Sequence, residues 1–360
     1  MPLSRLMLAA LLCAVLCAQS QQDSSKPAEP AQNESAVIKT TVDVVTAPVT
    51  VLDRDGNFVD GLQPAQFRLF DNEKEQDIKV DVTFQPISMV IAIQANDRVE
   101  AVLPQIQKIG GMIEPLVIGS EGEAAVLAFD SRLREMQEFT SDTGRITDAV
   151  KKIHAGSSQS RLIDAVEDSV RLLRSRPPDR RRILLLIGEA RDQSSEGRVR
   201  ESLIAAQLAN VSIYAVDVSR VVTDLTAKGQ PPRPDNRPPA MTPLPSGVPA
   251  TPDTVMQATG SSAQFVPLMV EMFKDVKYVF WKDPVDVFTK GTGGAQFGFV
   301  RQRGLEDAVE RIGAELHSQY LISYNPNNRD EGGFHEIVVQ IAGRRDLKTR
   351  TRPGYWLGAK

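Results

Sequence analysis

Residue types that commonly do chemistry are scattered through this chain of 360 residues, and their spacing excludes more than it suggests. The three histidines, His154, His317 and His335, are scattered, with no pair at metal-ligand spacing. Each reads as a surface or internally bonded imidazole. No Gly-x-Ser-x-Gly elbow or phosphate-binding loop occurs, and the many carboxylates are not paired by sequence into an acid and a base. What remains is one loop, Gln94-Ala-Asn-Asp-Arg98, which follows five apolar residues, Met89 to Ile93. So short and unbroken a run predicts the central strand of a parallel sheet covered on both faces. Open α/β sheets bind ligands beyond the carboxyl ends of their strands, which makes Gln94 to Arg98 the first candidate site.

The elements around the loop follow from periodicity. Val102, Ile106, Ile109, Ile113 and Leu116 recur at alternating spacings of four and three, the pattern of an amphipathic helix. Glu123 to Asp130 and Leu133 to Thr140 read as strands, the second polar enough for a sheet edge. Thr143 to Ile153 reads as a short helix. A longer one carries Leu162, Val166, Val170 and Leu173 and stops at Pro177 and Pro178. Ile183 to Ile187 and Val211 to Val216 are further buried strands, with a helix over Arg198 to Ala209 between them. This alternation predicts an α/β fold with a doubly wound, mostly parallel sheet. The run Arg180, Arg181 and Arg182 reads as the cap of a helix end rather than a phosphate site. A flavodoxin-like domain would need a Ser/Thr/Gly-rich loop after the first strand, where this chain has bulky and charged residues.

The flanks switch to period two. Val44, Val49 and Val51 alternate with polar residues, Pro48 marks an edge or a bulge, and Asp53-Arg-Asp-Gly56 is a turn. Phe67 to Phe70 and Ile78 to Phe84 are short strands. About fifty residues of strand are too few to stand alone. Gln319 to Tyr324, Phe334 to Ile341 and Lys348 to Trp356 supply matching strands near the other end. Leu305, Val309, Ile312 and Leu316 form the last long helix. Pairing the two sets gives a β-sandwich made from N- and C-terminal strands, residues 37–86 and 318–357, with the α/β region, 87–317, inserted between them.

Composition is that of a globular protein, 41% hydrophobic and 24% charged. A net charge of −4 gives no general attraction to nucleic acid or anionic lipid. Arg5, the apolar run Leu6 to Val15 and small residues at Ala18 and Ser20 have the layout of a secretory signal, residues 1–20. Cys13 and Cys17 both lie inside it. Leu16 before Cys17 is bulkier than a lipid-attachment site favours. The mature chain then has no thiol for a disulfide, a metal or catalysis. Residues 21–36 read as a disordered leader. Val222 to Pro252 holds nine of the chain's 23 prolines, so 220–262 reads as an exposed insertion. Val266 to Trp281 after it has helical apolar spacing. No later run of about 18 apolar residues predicts a membrane span, so a periplasmic, surface or secreted product is expected.

At this point the layout resembles the von Willebrand factor A domain, more narrowly the exported bacterial VWFA-related proteins of the Acidobacteria type. The resemblance rests on Val49-Thr-Val-Leu-Asp-Arg-Asp-Gly56, Phe67-Arg-Leu-Phe-Asp-Asn72, Gly291-Thr-Gly-Gly294, Ser318-Gln-Tyr-Leu-Ile-Ser-Tyr-Asn-Pro326 and Arg350-Thr-Arg-Pro-Gly-Tyr-Trp356. It implies a metal-ion-dependent adhesion site holding Mg²⁺ through Asp-x-Ser-x-Ser after the first strand, a Thr before a later helix and an Asp after the fourth strand. Laid on this chain, those positions are Gln94, Asn96, Arg98, Ser160 and Glu189. The family pattern carries two negative charges, whereas Glu189 with Arg98 sums to zero. Mg²⁺ favours carboxylate and water oxygens, so the site reads as degenerate, with no metal and no other cofactor expected. Arg98 is expected to pair with Glu189 in place of the ion. The implied function is a non-enzymatic, adhesion-type module for a protein partner, with no small-molecule substrate. The alternative is a structural scaffold of the cell envelope.

Overall fold

The computed structural model describes residues 44–81, 85–219, 283–298 and 303–357. The expected signal, leader, insertion and the helix over Val266 to Trp281 lie outside the described residues. Strands β1 (Val45–Leu52), β2 (Phe67–Asp71), β3 (Lys74–Glu75) and β4 (Ile78–Asp81) come first. The α/β region then runs β5 (Ile87–Gln94), α1 (Leu103–Ile106), β6 (Glu123–Phe129), β7 (Leu133–Thr140), α2 (Thr143–Lys151), α3 (Leu162–Arg174) and β8 (Arg181–Gly188). It continues through α4 (Val199–Leu208), β9 (Val211–Asp217), α5 (Pro284–Thr292), β10 (Gln296–Gly298) and α6 (Arg303–Ser318). β11 (Tyr320–Tyr324), β12 (Gly333–Ile341), β13 (Lys348–Arg350) and β14 (Gly354–Leu357) complete it.

The six-stranded sheet has the order β10-β9-β8-β5-β6-β7, parallel except for β7 at its edge. Counted from β5, this is the 3-2-1-4-5-6 order of a doubly wound sheet. Every residue of β5 is buried. Alternation sends Met89, Ile91 and Ile93 to one face, with Val309 and Ile312 of α6, and Val90 and Ala92 to the other, with Leu162 and Val166 of α3.

One expectation fails. Residues 102–116 do not form a single helix but break into α1, a 3₁₀ turn over Ile109–Gly111 and a π turn over Glu114–Ile118. Pro104 and Pro115 lack the N–H groups a continuous helix needs, and Gly110-Gly111 lowers helix propensity between them. The apolar face survives the break: Val102, Ile106, Ile109 and Ile113 stay buried against the sheet.

The remaining strands make two four-stranded sheets, β13-β1-β11-β4 and β14-β12-β2-β3. Val45, Ala47, Val49, Ile322 and Tyr324 on one, and Leu69, Ile337, Val339 and Tyr355 on the other, enclose a common core. This is a β-sandwich built from both flanks of the chain, with the doubly wound sheet inserted between them. Pro48 sits where β1 has β11 on one side only, because β13 begins opposite Thr50.

Two of the contacts between the α/β region and the sandwich stand out for their burial and closeness. Glu315 of α6 is 1% exposed, and its Oε1 accepts from Thr50 Oγ1 of β1 (3.1 Å) and Tyr214 Oη of β9 (2.9 Å). Arg350 of β13 pairs with the same oxygen by charge. The second contact is the turn after α5. Gly293 caps that helix in the left-handed region, φ +80°, and packs on the backbone of Arg352. Gly294 lies so close to β9 that a Cβ there would sit 2.0 Å from the Ile213 carbonyl oxygen. Two sequence stretches that carry the family resemblance thus meet face to face.

Candidate functional site

The order of the sheet reverses between β5 and β8, and the loops leaving these two strands lie at the switch point. β5 ends on Gln94 and β8 on Gly188. Gln94 Oε1 accepts from the Glu189 backbone N–H at 2.7 Å. Only glycine at 188 permits this, since a Cβ would stand 2.6 Å from Gln94 Oε1. Asn96 caps the single turn Asp97–Val99, its Oδ1 accepting from Val99 N at 3.3 Å. That turn aims Arg98 back across the switch point. Arg98 Nε donates to Glu189 Oε2 and its second terminal nitrogen to Oε1, both at 2.8 Å. Asp97 is exposed.

Ser160 reaches the same end of the sheet through its backbone. Its carbonyl accepts from Gln193 N (3.0 Å) and Ser194 N (3.3 Å) in the loop after β8. Asp97 N donates to the Ser157 carbonyl at 3.1 Å, so the loops after β5 and before α3 are also tied. Hydrogen bonds therefore join Gln94, Arg98 and Glu189 directly, while Asn96 and Ser160 contribute through the turns they hold. Asp192 escaped the sequence reading. Its Oδ1 accepts from Leu162 N (2.8 Å) and Ile163 N (3.2 Å), capping α3 from 30 residues away, a pairing that local spacing does not announce.

The electrostatics are those of a closed ion pair. Side-chain exposure is 41% for Arg98 and 4% for Glu189. The bonds to Glu189 raise the Arg98 pKa above its ordinary value, against the smaller opposing effect of burial. Both Glu189 oxygens are occupied by the guanidinium, and Gln94 Oε1 by a backbone N–H. The buried polar ends without a protein partner are Gln94 Nε2, Asn96 Nδ2 and Ser160 Oγ. Two of these three are amide donors, which repel a cation. Among the described residues no group of three or more His, Cys, Asp or Glu is arranged to hold a metal ion. The five positions thus offer a divalent cation a net charge of zero and no free carboxylate oxygen, and they do not fit Mg²⁺.

A second constellation has catalytic residue types. Asp71 and His335 are both fully buried in the sandwich, with His335 Nδ1 2.7 Å from Asp71 Oδ1. Asp71 Oδ2 accepts from Tyr324 (2.9 Å) and Tyr355 (2.8 Å), and Asn328 Nδ2 donates to Oδ1 at 3.1 Å. With neither member exposed, the cluster is a polar core rather than a site a substrate reaches. Burial pushes the Asp71 carboxyl up, but the bonds from His335, Asn328 and Tyr355 together outweigh it and hold the pKa below the usual carboxylate range. Burial drives the Tyr324 and Tyr355 phenols the other way, above their ordinary range. A lowered Asp71 favours the fold above the unfolded carboxylate pKa of about 4, and that contribution fades as pH falls through the folded value. Raised tyrosines favour the fold below about pH 10 and lose that contribution above it. Thermal melts across pH should show a plateau between these limits with losses at both ends. In D71N the acid limb should flatten; an unchanged acid limb would show that other groups set it.

No protein-family model matches the sequence, and no curated protein matches it. Solved structures do. BatB, a conserved hypothetical protein from Bacteroides thetaiotaomicron, is 14% identical, aligning 36% of this chain with 66% of its own at a TM-score of 0.29. The vWF domain of the type V pili tip protein Mfa5 from Porphyromonas gingivalis is 10% identical, over 29% of this chain and 38% of that one, at 0.26. An aerotolerance-related membrane protein from Bacteroides fragilis NCTC 9343 is 12% identical, over 64% of this chain and 98% of that one, at 0.38. The chain thus spans less than two thirds of the length of the first two. These likenesses are distant, and the fold assignment rests on the strand order rather than on them. Six strands in 3-2-1-4-5-6 order, one antiparallel edge, helices on both faces and a loop cluster at the switch point give the central region a doubly wound α/β fold consistent with a von Willebrand factor A-like domain.

Proposed function

We propose that this protein is an exported, non-enzymatic, adhesion-type module that binds a protein partner without a metal, and that its metal-ion-dependent adhesion site is degenerate. The reading rests on the two-pronged Arg98–Glu189 pair at the switch point, in which a guanidinium bonds both oxygens of the one carboxylate among the five positions. Support also comes from the burial of the Asp–His–Tyr cluster, the constellation nearest to an enzymatic one. Export is proposed from the N-terminal signal pattern, with a periplasmic, cell-surface or secreted address. Among the described residues no helix is long and apolar enough to cross a membrane.

The test is capture from an envelope extract on the full chain, with and without EDTA, beside calorimetric titration with Mg²⁺. EDTA-insensitive capture and no micromolar Mg²⁺ binding are expected. EDTA-sensitive capture, or Mg²⁺ bound at micromolar strength, would overturn the reading, while no captured partner favours an envelope scaffold.

The ion pair has its own test. Arg98→Ala leaves the buried Glu189 carboxylate without its partner, and with Arg98 partly exposed the cost should be about 1–2 kcal/mol. Adding Glu189→Gln should recover most of it. If the double variant is no more stable than R98A by urea unfolding, the pair is not what holds the loops.

A further inference from the structure

A cavity of about 250 Å³ lies between the sandwich and the foot of the parallel sheet, at the opposite end from the switch-point loops. Its walls follow from strand alternation. Val45, Ala47 and Ile322 point into the sandwich core, so Thr46, Lys79 and Ser323 on the same sheet face outward into the cleft. The other wall is the start of β8, where Arg181 and Arg182 leave on opposite faces of the strand, together with Arg352 from the stretch before β14.

The arginines are only half explained by helix capping, the role their sequence predicts. Arg181 donates to the Leu316 carbonyl near the end of α6 at 2.5 Å and to Gln319 Oε1. Arg182 donates to the Ala209 carbonyl just past α4 (2.9 Å) and to the Arg176 carbonyl (2.6 Å). Arg352, 4% exposed, reaches the Gln207 carbonyl at 3.5 Å, and its Nε has no partner. All these acceptors are neutral. Arg180, which also lines the cavity, has Glu123 at 3.4 Å, but no carboxylate among the described residues forms a salt bridge with the other three. Lys79, Arg181, Arg182 and Arg352 against Asp81 leave a formal charge of +3 around the cleft. Burial lowers the pKa of Arg181, Arg182 and Arg352 from the ordinary guanidinium value, outweighing the opposing pull of Glu315 on Arg181 and of Asp71 on Arg352. Cations that outnumber the carboxylates lining a recess concentrate positive potential there.

We propose that this cleft binds a small oxyanion of two or more negative charges, with Arg182 and Arg352 on its walls and Lys79 at its exposed rim. The planar forks of arginine match the paired oxygens of phosphate and carboxylate alike. The volume falls just below the range of about 300–1,000 Å³ usual for drug-sized ligands, which favours an ion-sized occupant. Because its walls belong to both the sandwich and the α/β region, a bound anion cross-braces them. This ligand site lies at the opposite end of the sheet from Arg98 and Glu189 and does not depend on what they bind.

The test is thermal unfolding of the full chain with inorganic phosphate, and in a second arm citrate, each against NaCl at matched ionic strength. A saturable rise in Tm by several degrees is expected from at least one anion. Response to phosphate alone marks a tetrahedral-oxyanion site, and response to citrate marks a carboxylate-accepting one. Lys79→Glu, on an exposed side chain that leaves every capping bond intact, should weaken the apparent affinity about fivefold or more. Shifts no larger than those of NaCl, or an unaltered affinity in K79E, would overturn the proposal and leave the arginines as helix caps beside solvent.

Discussion

Replacing Glu315 by alanine should destabilise the protein by about 3–5 kcal/mol, the cost of stripping the partner from a buried charge. Its single oxygen Oε1 is shared by Thr50, Tyr214 and Arg350, so three groups lose their acceptor at once. A Tm lower by on the order of 10 °C is the expected reading in differential scanning calorimetry. The shape of the transition is the more telling observable. Thr50 and Arg350 belong to the sandwich and Tyr214 to the parallel sheet, so loss of Glu315 should let the two melt separately, turning one peak into two. Glu315→Gln keeps the shape and an acceptor but not the charge, and should fall between wild type and alanine. A loss below about 1 kcal/mol in E315A, the scale of an exposed pair, would show that this joint does not couple the two parts.

The second large effect is expected at the turn after α5, where three glycines differ in what a methyl group would meet. Gly294→Ala drives Cβ to 2.0 Å from the Ile213 carbonyl oxygen and 2.8 Å from its carbon, both backbone atoms of the buried strand β9. Neither yields by rotating, so the cost should reach about 3 kcal/mol or more, the upper end for overpacking. Gly291→Ala meets the Leu203 side chain, nearest atom 2.7 Å, which turns aside at about 1 kcal/mol. Gly293→Ala should lie between, since it combines φ +80° with a Cβ 2.9 Å from Arg352 N. Urea unfolding of the three variants checks the ranking. Equal losses at 291 and 294 would mean that the close approach to Ile213 is not what selects glycine.

The core strands were legible because each is a short apolar run: Met89 to Ile93, Ile183 to Ile187 and Val211 to Val216 all lie in buried strands of the six-stranded sheet. The candidate loop was legible for the same reason, as the polar segment that ends the first of them. The broken helix after it was not, although Pro104 and Pro115 were in plain view, because the apolar spacing of 102–116 survives as a buried face without continuous helix. Long-range polar partners were beyond the sequence altogether. Glu315 looks like any acid on an amphipathic helix until Thr50, 265 residues away, is folded against it. His335 reads as an ordinary histidine until Asp71, 264 residues earlier, closes on its ring. Periodicity reports which face of an element is inward, and says nothing of which polar groups on that face will meet.

The sandwich draws its sheets from stretches as distant as Asp71 and Tyr355, 284 residues apart along the chain. Strands β1 to β4 therefore emerge from the ribosome long before the segments that complete their hydrogen bonds. Until then their ladders stand open, the condition in which neighbouring nascent chains stick to one another. The doubly wound insert pairs its strands over shorter separations, at most the 94 residues between Ile87 and Arg181 against 279 between Val45 and Tyr324, and can collapse first, drawing the two flanks together and shortening the loop that β1 and β11 must close. A truncated product ending before Tyr320 would then keep a folded centre with β1 and β4 unpaired and the β2–β3 hairpin open along one edge, and should precipitate rather than linger in solution.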